Sequence, residues 1–115
     1  MDKLMNTLTI ELRKGVLVLC VLSRLEYEEY GYDLISRLEE KGIQVDGNTL
    51  YPLLRRLEKQ GILTSLWSTD ASKPRKYYKR TAFGTTVYKE LKSQWEAIVA
   101  NMDNMLYPDE SDNVF

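Results

Sequence analysis

Histidine is absent from this 115-residue chain, and cysteine occurs once. Without histidine, no side chain has an ordinary pKa near neutrality, so the commonest general base and metal ligand is missing. A single cysteine excludes a disulfide within the chain and leaves no donor set for a Cys/His zinc site. This usage fits a reducing compartment. Long hydrophobic runs are also missing. The longest, Val16 to Leu22, is seven residues, against the roughly 20 that a membrane-spanning helix needs. The opening MDKLMNTLTIELRKG has no apolar core and no small-residue cleavage site, so no secretory signal is expected and a cytoplasmic location is. Phosphate-loop chemistry is excluded too, because GNTLYP lacks a second glycine and a Lys-Ser/Thr pair. The carboxylates of EYEEY and EE read as solvated helix faces. Neither an enzyme nor a metal or cofactor site is expected.

What is present is an ordinary globular composition, 43% hydrophobic and 29% charged, of a length that suits one domain. The net charge is −1, but it is unevenly spread. Asp46 to Arg80 holds eight Lys/Arg against three acids, a local charge of +5, and the remainder is −6. A basic middle within an acidic chain suits a face for phosphate. On charge alone, a solvated basic face is an equal reading.

Hydrophobic spacing predicts four helices and a hairpin. Leu8, Leu12 and Val16 share one face, and the apolar VLVLCVL follows, so a helix is expected from Thr7 to Leu25, capped by Thr7 or Thr9. Tyr30, Leu34 and Leu38 predict a second helix over Tyr30–Lys41, stopped at Gly42. A third begins near Asp46 or Asn48, both plausible caps, with Pro52 expected near its first turn. It buries Leu50, Leu53, Leu54 and Leu57, and Gly61 ends it. Two short amphipathic helices joined by a tight turn form a helix-turn-helix. Alternation over Ile62–Ser68 and Arg75–Thr81 predicts two strands around a polar turn, Thr69 to Pro74, which is a wing. The last helix spans Ala82–Leu106. Its seam of Tyr88, Leu91, Trp95, Ile98, Met102 and Met105 steps by three and four. At about 1.5 Å per residue that helix nears 40 Å and overreaches a core of this size, so a second copy is expected to cover it. The fold class is mainly α (α+β): a winged helix-turn-helix with a two-stranded wing over residues 1–81, a long C-terminal dimerisation helix over 82–106, and a disordered tail over 107–115.

Candidate site residues follow from this layout. Asn48, Thr49 and Tyr51 open the third helix, where helix-turn-helix proteins meet bases and phosphates. Capping by Asn48 or Thr49, and core packing by Tyr51, are the rival roles. Arg55 lies one turn on, and its fork suits guanine or phosphate; its rival role is an ion pair with Glu58, which Lys59 could equally take. Lys73, Arg75 and Lys76 crowd the wing turn and suit the DNA backbone. Trp95 is read as a dimer-core anchor or a ligand platform, and Cys20 as an inert thiol in the most apolar run.

The segment GNTLYPLLRRLEKQGIL, from Gly47 to Leu63, closely resembles the PadR-like regulators, with a G-T-L-Y-P-like start and then L-x-R-L-E-x-x-G-L/I. ELRKGVLVLCVL, YGYDLISRLEEKG and PRKYYKRTAFG resemble the family's first helix, second helix and wing exit, so the resemblance runs from about Leu12 to Leu106. It implies a homodimer that binds double-stranded DNA at inverted repeats and represses transcription. Two recognition helices would enter successive major grooves and block the polymerase. The resemblance also implies release, in some members, by small aromatic compounds held at the dimer centre. Trp95 matches a ligand-stacking tryptophan there, and Glu11, Lys14 and Val18 would face it; two of those three are charged, unlike an aromatic-lined pore. Arg56 belongs to the family's R-L-E pattern, which favours Arg55 for DNA. Arg80 departs from the pattern, standing where leucine is common, and Gly47-Asn48 stands where an N-capping Ser or Glu is frequent. The single last helix resembles the shorter subfamily. The alternative is a winged-helix protein-interaction module without specific DNA binding.

Overall fold

The computed structural model describes residues 1–70 and 72–109. Its order is α1 (Asp2–Lys14), α2 (Leu17–Arg24), β1 (Glu29–Tyr30), α3 (Gly31–Glu40), α4 (Gly47–Lys59), β2 (Leu63–Ser68), β3 (Arg75–Arg80) and α5 (Ala82–Leu106). Leucines fill the core: Leu22 and Leu25 after α2 begins, Leu34 and Leu38 of α3, Leu50, Leu53, Leu54 and Leu57 of α4, and Leu63 of β2, closed by Val21 and Tyr78. The buried leucines of α4 are the stripe expected from their spacing, and the opposite face is left polar.

Both glycine stops are observed. Gly42 and Gly61 have φ of 86° and 77°, a left-handed conformation that other residues adopt only with strain. At each, the next residue's N–H donates back into the helix, Ile43 to the Leu38 carbonyl at 2.9 Å and Ile62 to the Leu57 carbonyl at 3.0 Å. The wing is also as expected, with β2 and β3 antiparallel and Leu66 opposite Tyr77.

Three expectations are corrected, and one of the two caps considered for α4 is selected. The first helix is two helices, broken at Gly15 and Val16. Glycine is a poor helix residue, and the two halves serve different surroundings: α2 buries Val21 and Leu22, whereas α1 buries nothing. Thr7 and Thr9 cap nothing, because α1 starts at Asp2 and the Thr7 hydroxyl donates to the Lys3 carbonyl within the helix. Asp46, rather than Asn48, caps α4, its carboxylate accepting from the Thr49 N–H at 3.0 Å. The helix therefore starts early enough to place Pro52 in its second turn, where it cannot donate to the Asn48 carbonyl. Finally, a short third strand joins the wing. β1 pairs with β3, Glu29 opposite Tyr78 and Tyr30 opposite Tyr77, giving the order β1-β3-β2. Glu29 then ties β1 to α3 through Arg37 at 2.5 Å and to α2 through Arg24 at 3.8 Å. A two-residue strand is too short to show alternation.

α5 is seated by its first turn. Thr81 caps it by accepting from the Gly84 N–H at 2.9 Å, and the same hydroxyl donates to the Gly61 carbonyl at 2.6 Å. Gly84 is pressed so close to the preceding turn that an added Cβ would lie 1.9 Å from the Ile62 carbonyl oxygen. Residues 107–109 follow the helix, and the rest of the expected tail, 110–115, lies outside the described residues. Gly84→Ala is expected to destabilise the chain by about 2 kcal/mol, since backbone must move to admit the methyl; urea denaturation measures it, and an unchanged midpoint would show the seat to be loose.

Candidate nucleic-acid interface

α4 presents its first turn and its charged face outward. Asn48 and Thr49 are exposed, and so are Arg55 and Arg56. Tyr51 is half-buried. Its ring lies back against the helix start, where a Cβ at Gly47 would come within 2.8 Å of it and one at Gly31 within 3.5 Å. A side chain at position 47 would require the Tyr51 ring to shift. Burial, then the neighbouring Tyr30, Tyr32 and Tyr78, hold the Tyr51 phenol above its ordinary pKa, so it remains a hydrogen-bond donor.

Tyr51 forms one wall of a cleft of about 250 Å³. Tyr30 and Tyr32 of the β1–α3 junction, Trp67 of β2, and Pro74, Lys76 and Tyr78 of the wing complete it. The cleft sets the N-terminal half of α4 and the wing turn side by side. Arg75 borders it, exposed, with its guanidinium 5.2 Å from the centre of the Tyr30 ring. Lys73 is exposed in the turn. Sequence reasoning missed Tyr30, Tyr32 and Trp67 here. Trp67 carried a signal, as an aromatic in a wing strand; Tyr30 was read only as a helix-face residue, because β1 was not seen.

Lys76 departs from the expected free cation at the wing turn. It is half-buried, its ammonium is 3.1 Å from Glu58 Oε1, and it lies over the rings of Trp67 and Tyr78 at 5.9 and 5.0 Å. Glu58 also accepts from the Ser65 hydroxyl. The Glu58 pairs considered for Arg55 and Lys59 are not formed among the described residues. Glu58, Ser65 and Lys76 thus latch the end of α4 to both strands of the wing, and Arg55 has no ion pair among the described residues. The hydrogen bond from Ser65, helped by Lys76 and opposed by burial, holds the Glu58 carboxyl below its usual 4.5. Burial pulls Lys76 down, but the contacts with Glu58 and Tyr78 outweigh it and leave its pKa above the usual 10.5.

The α5 seam divides in two. Tyr88 and Leu91 pack on the core of their own chain. Trp95, Ile98, Met102 and Met105 are uncovered, with Trp95 41% and Met105 72% exposed. On α1, Leu4, Leu8 and Leu12 are exposed as well. The four residues expected at a ligand centre are not gathered within one chain. Glu11 and Lys14 line an open groove of about 1040 Å³ between α1 and the α3–α4 connection, with Ile43 and Val45. Val18 packs on the core, and Trp95 stands apart on α5. Cys20 is half-buried and, through burial, held above its ordinary thiol pKa, consistent with an inert thiol. Among the described residues no cluster of Cys, Asp and Glu could hold a metal ion, and no helix is long and apolar enough to cross a membrane.

Comparison with known proteins adds relatives to this geometry. The sequence pattern of the transcriptional regulator PadR-like family matches residues 18–93. The crystal structure of a PadR family transcriptional regulator from Eggerthella lenta superposes with a TM-score of 0.87 at 44% identity, covering 94% of this chain and 96% of that one. A PadR-like transcriptional regulator from Bacillus cereus superposes with a TM-score of 0.77 at 30% identity, covering 86% and 99%. An uncharacterised protein of Lysinibacillus sphaericus is 32% identical over 69% of this chain and 76% of its own length.

The latch has a defined pH signature. Because the folded Glu58 pKa is depressed, its stabilisation is present above the ordinary value of 4.5 and is lost as pH falls below it. A double-mutant cycle of Glu58→Gln and Lys76→Met, read by urea denaturation, is expected to give a coupling of about 1 kcal/mol at pH 7 and a smaller one at pH 3. Equal coupling at both values would contradict an ionic latch.

Proposed function

The chain belongs to the PadR-like family of transcriptional regulators, and from that premise we propose that it is a repressor acting as a homodimer on an inverted-repeat operator. One observation carries the DNA-binding part. The cleft sets Tyr51 of α4 beside Pro74 and Lys76 of the wing, so the helix that carries Asn48, Thr49 and Arg55 lies beside the turn that carries Lys73 and the start of β3 at Arg75. On a duplex, α4 enters the major groove, and Asn48, Thr49 and Arg55 meet base edges or phosphates. Lys73 and Arg75 neutralise the backbone alongside. Tyr51 supplies a phenolic donor at the rim. Lys76 acts indirectly, by holding the wing against α4.

The uncovered half of α5 supports the dimer. Ile98, Met102 and Met105 form an apolar strip that water would otherwise meet, and α1 carries a second. A second copy covers both, as is usual for an apolar face repeated identically on every molecule. A planar aromatic effector, stacked on Trp95 between protomers with Glu11 and Lys14 of α1 near by, favours a dimer whose recognition helices no longer match the half-sites. It acts only through its unequal affinity for the two arrangements.

Four results are expected. In anisotropy titrations, labelled DNA from the gene's own upstream region binds about a thousandfold more tightly than a scrambled duplex. Arg55→Gln, Lys73→Gln and Arg75→Gln each weaken that binding, and a lost phosphate contact lowers the salt slope by about 0.9. Equal, weak binding to both duplexes would favour a protein-interaction module instead. Ile98→Glu with Met102→Glu yields monomers in sedimentation at concentrations where the parent is a dimer; a dimer unaffected by both changes would place the interface elsewhere. With Trp67→Phe as background, planar aromatic compounds quench the Trp95 fluorescence, and an unresponsive Trp95 would remove the effector from the account.

A further inference from the structure

Arg80 shares a face of β3 with Lys76 and Tyr78, but its contacts are with α2 and α5 rather than with α4. Its guanidinium donates to the Leu22 carbonyl at 3.1 Å and lies 4.4 Å from the centre of the Tyr88 ring. Its backbone N–H donates to the Leu25 carbonyl at 2.7 Å. Leu22 and Leu25 close α2, whose C-terminal carbonyls carry partial negative charge and favour a cation. Tyr88 lies in the second turn of α5, and the ring face it offers attracts a guanidinium. Arg80 Nε is buried with no partner, an arrangement that costs stability and that an apolar side chain would avoid. A leucine would fill the space without reaching the α2 carbonyl. The charge is held here for a directional contact.

We propose that Arg80 is a positioning residue that sets the angle between α5 and the winged-helix body, and through it the spacing of the two recognition helices in the dimer. The second half of that statement rests on the dimer proposed above. α5 is held to the body by a polar seat at its first turn, by apolar packing of Val87, Tyr88 and Leu91 on the core, and by the Arg80 contact. Thr81 and Gly84 seat its first turn on Gly61 and Ile62. Apolar packing is non-directional, so it holds α5 against the body without fixing its angle. The Arg80–Tyr88 contact, one turn further on and directed at α2, is the directional contact that fixes that angle. Beyond it Trp95, Ile98, Met102 and Met105 are uncovered by their own chain. The helix is 25 residues long, or about 37 Å, so a swing of about 5° at the base moves its far end about 3 Å. Recognition helices must match half-sites about 34 Å apart, and an error of that size is felt there.

The test measures the angle directly. In a Cys20→Ser background, Ser36→Cys on α3 and Asn101→Cys on α5, both exposed, carry spin labels, and the labelled chain is diluted with unlabelled chain. Electron–electron double resonance then reads the distance within one chain. Arg80→Met is expected to broaden that distribution at least twofold, and Arg80→Lys, which keeps a cation able to reach the carbonyl and the ring, to restore part of the width. Tyr88→Leu, which leaves the Leu22 hydrogen bond in place, broadens it less than Arg80→Met. A residue that only added stability would lower the melting temperature and leave the width in the folded protein unchanged; that result overturns the proposal. Undiluted Ser36→Cys alone reads the distance between protomers, which should broaden in parallel in Arg80→Met. A narrow distance between protomers despite a broad one within the chain overturns the spacing role. Absence of any distance between protomers in the parent overturns the dimer, while the width within one chain still decides whether Arg80 anchors α5.

Discussion

Leu50, Leu53, Leu54 and Leu57 are buried along one stripe of α4, and the remaining elements take their places from that burial. α2 and α3 supply the leucines facing the stripe. Gly61 turns the chain directly from the end of α4 into β2, so the wing begins where the recognition helix stops. The Gly61–Ile62 turn then seats the first turn of α5. One helix thus organises the core, fixes the origin of the wing and provides the base of the long helix. Its polar face is excluded from the core by the same geometry, which is why Asn48, Thr49 and Arg55 reach solvent together.

Electrostatics refine this arrangement. Of the bases in the wing, two are used internally and in different directions. Lys76 binds Glu58 and closes the wing on α4; Arg80 reaches the end of α2 and Tyr88 of α5. Lys73, Arg75 and Lys79 remain exposed toward solvent. The local charge of +5 is therefore not all available to phosphate. It is divided between contacts that hold the domain together and a smaller exposed set beside α4. The net acidity of the rest of the chain leaves that set as the place where an anion is favoured.

Much of this was legible in the residues. Strong periodicity with glycine punctuation located α3, α4, both long wing strands and α5, and the four-leucine stripe was read in full. Local patterns failed where tertiary contacts decided. The two-residue β1 has no period to detect and exists because Tyr78 and Tyr77 lie opposite it. The break at Gly15 depends on α2 having a core to face while α1 has none in its own chain. Asp46 and Asn48 both have capping chemistry, and only the path of the chain chose between them. At the site, exposure of Asn48, Thr49, Arg55, Lys73 and Arg75 agreed with their reading as surface groups. The fate of Lys76 could not be read, because Glu58 is 18 positions away, and the groups proposed around Trp95 are not collected by a single chain.

The central claim is that α4 and the wing turn form one DNA-binding edge. Amide chemical-shift mapping during titration with the upstream duplex tests it most directly. The account predicts the largest shifts over residues 47–56 and 72–76, with α3 and the core little changed. Shifts confined to α1 and the second half of α5, or none at DNA concentrations that saturate the anisotropy signal, would contradict it.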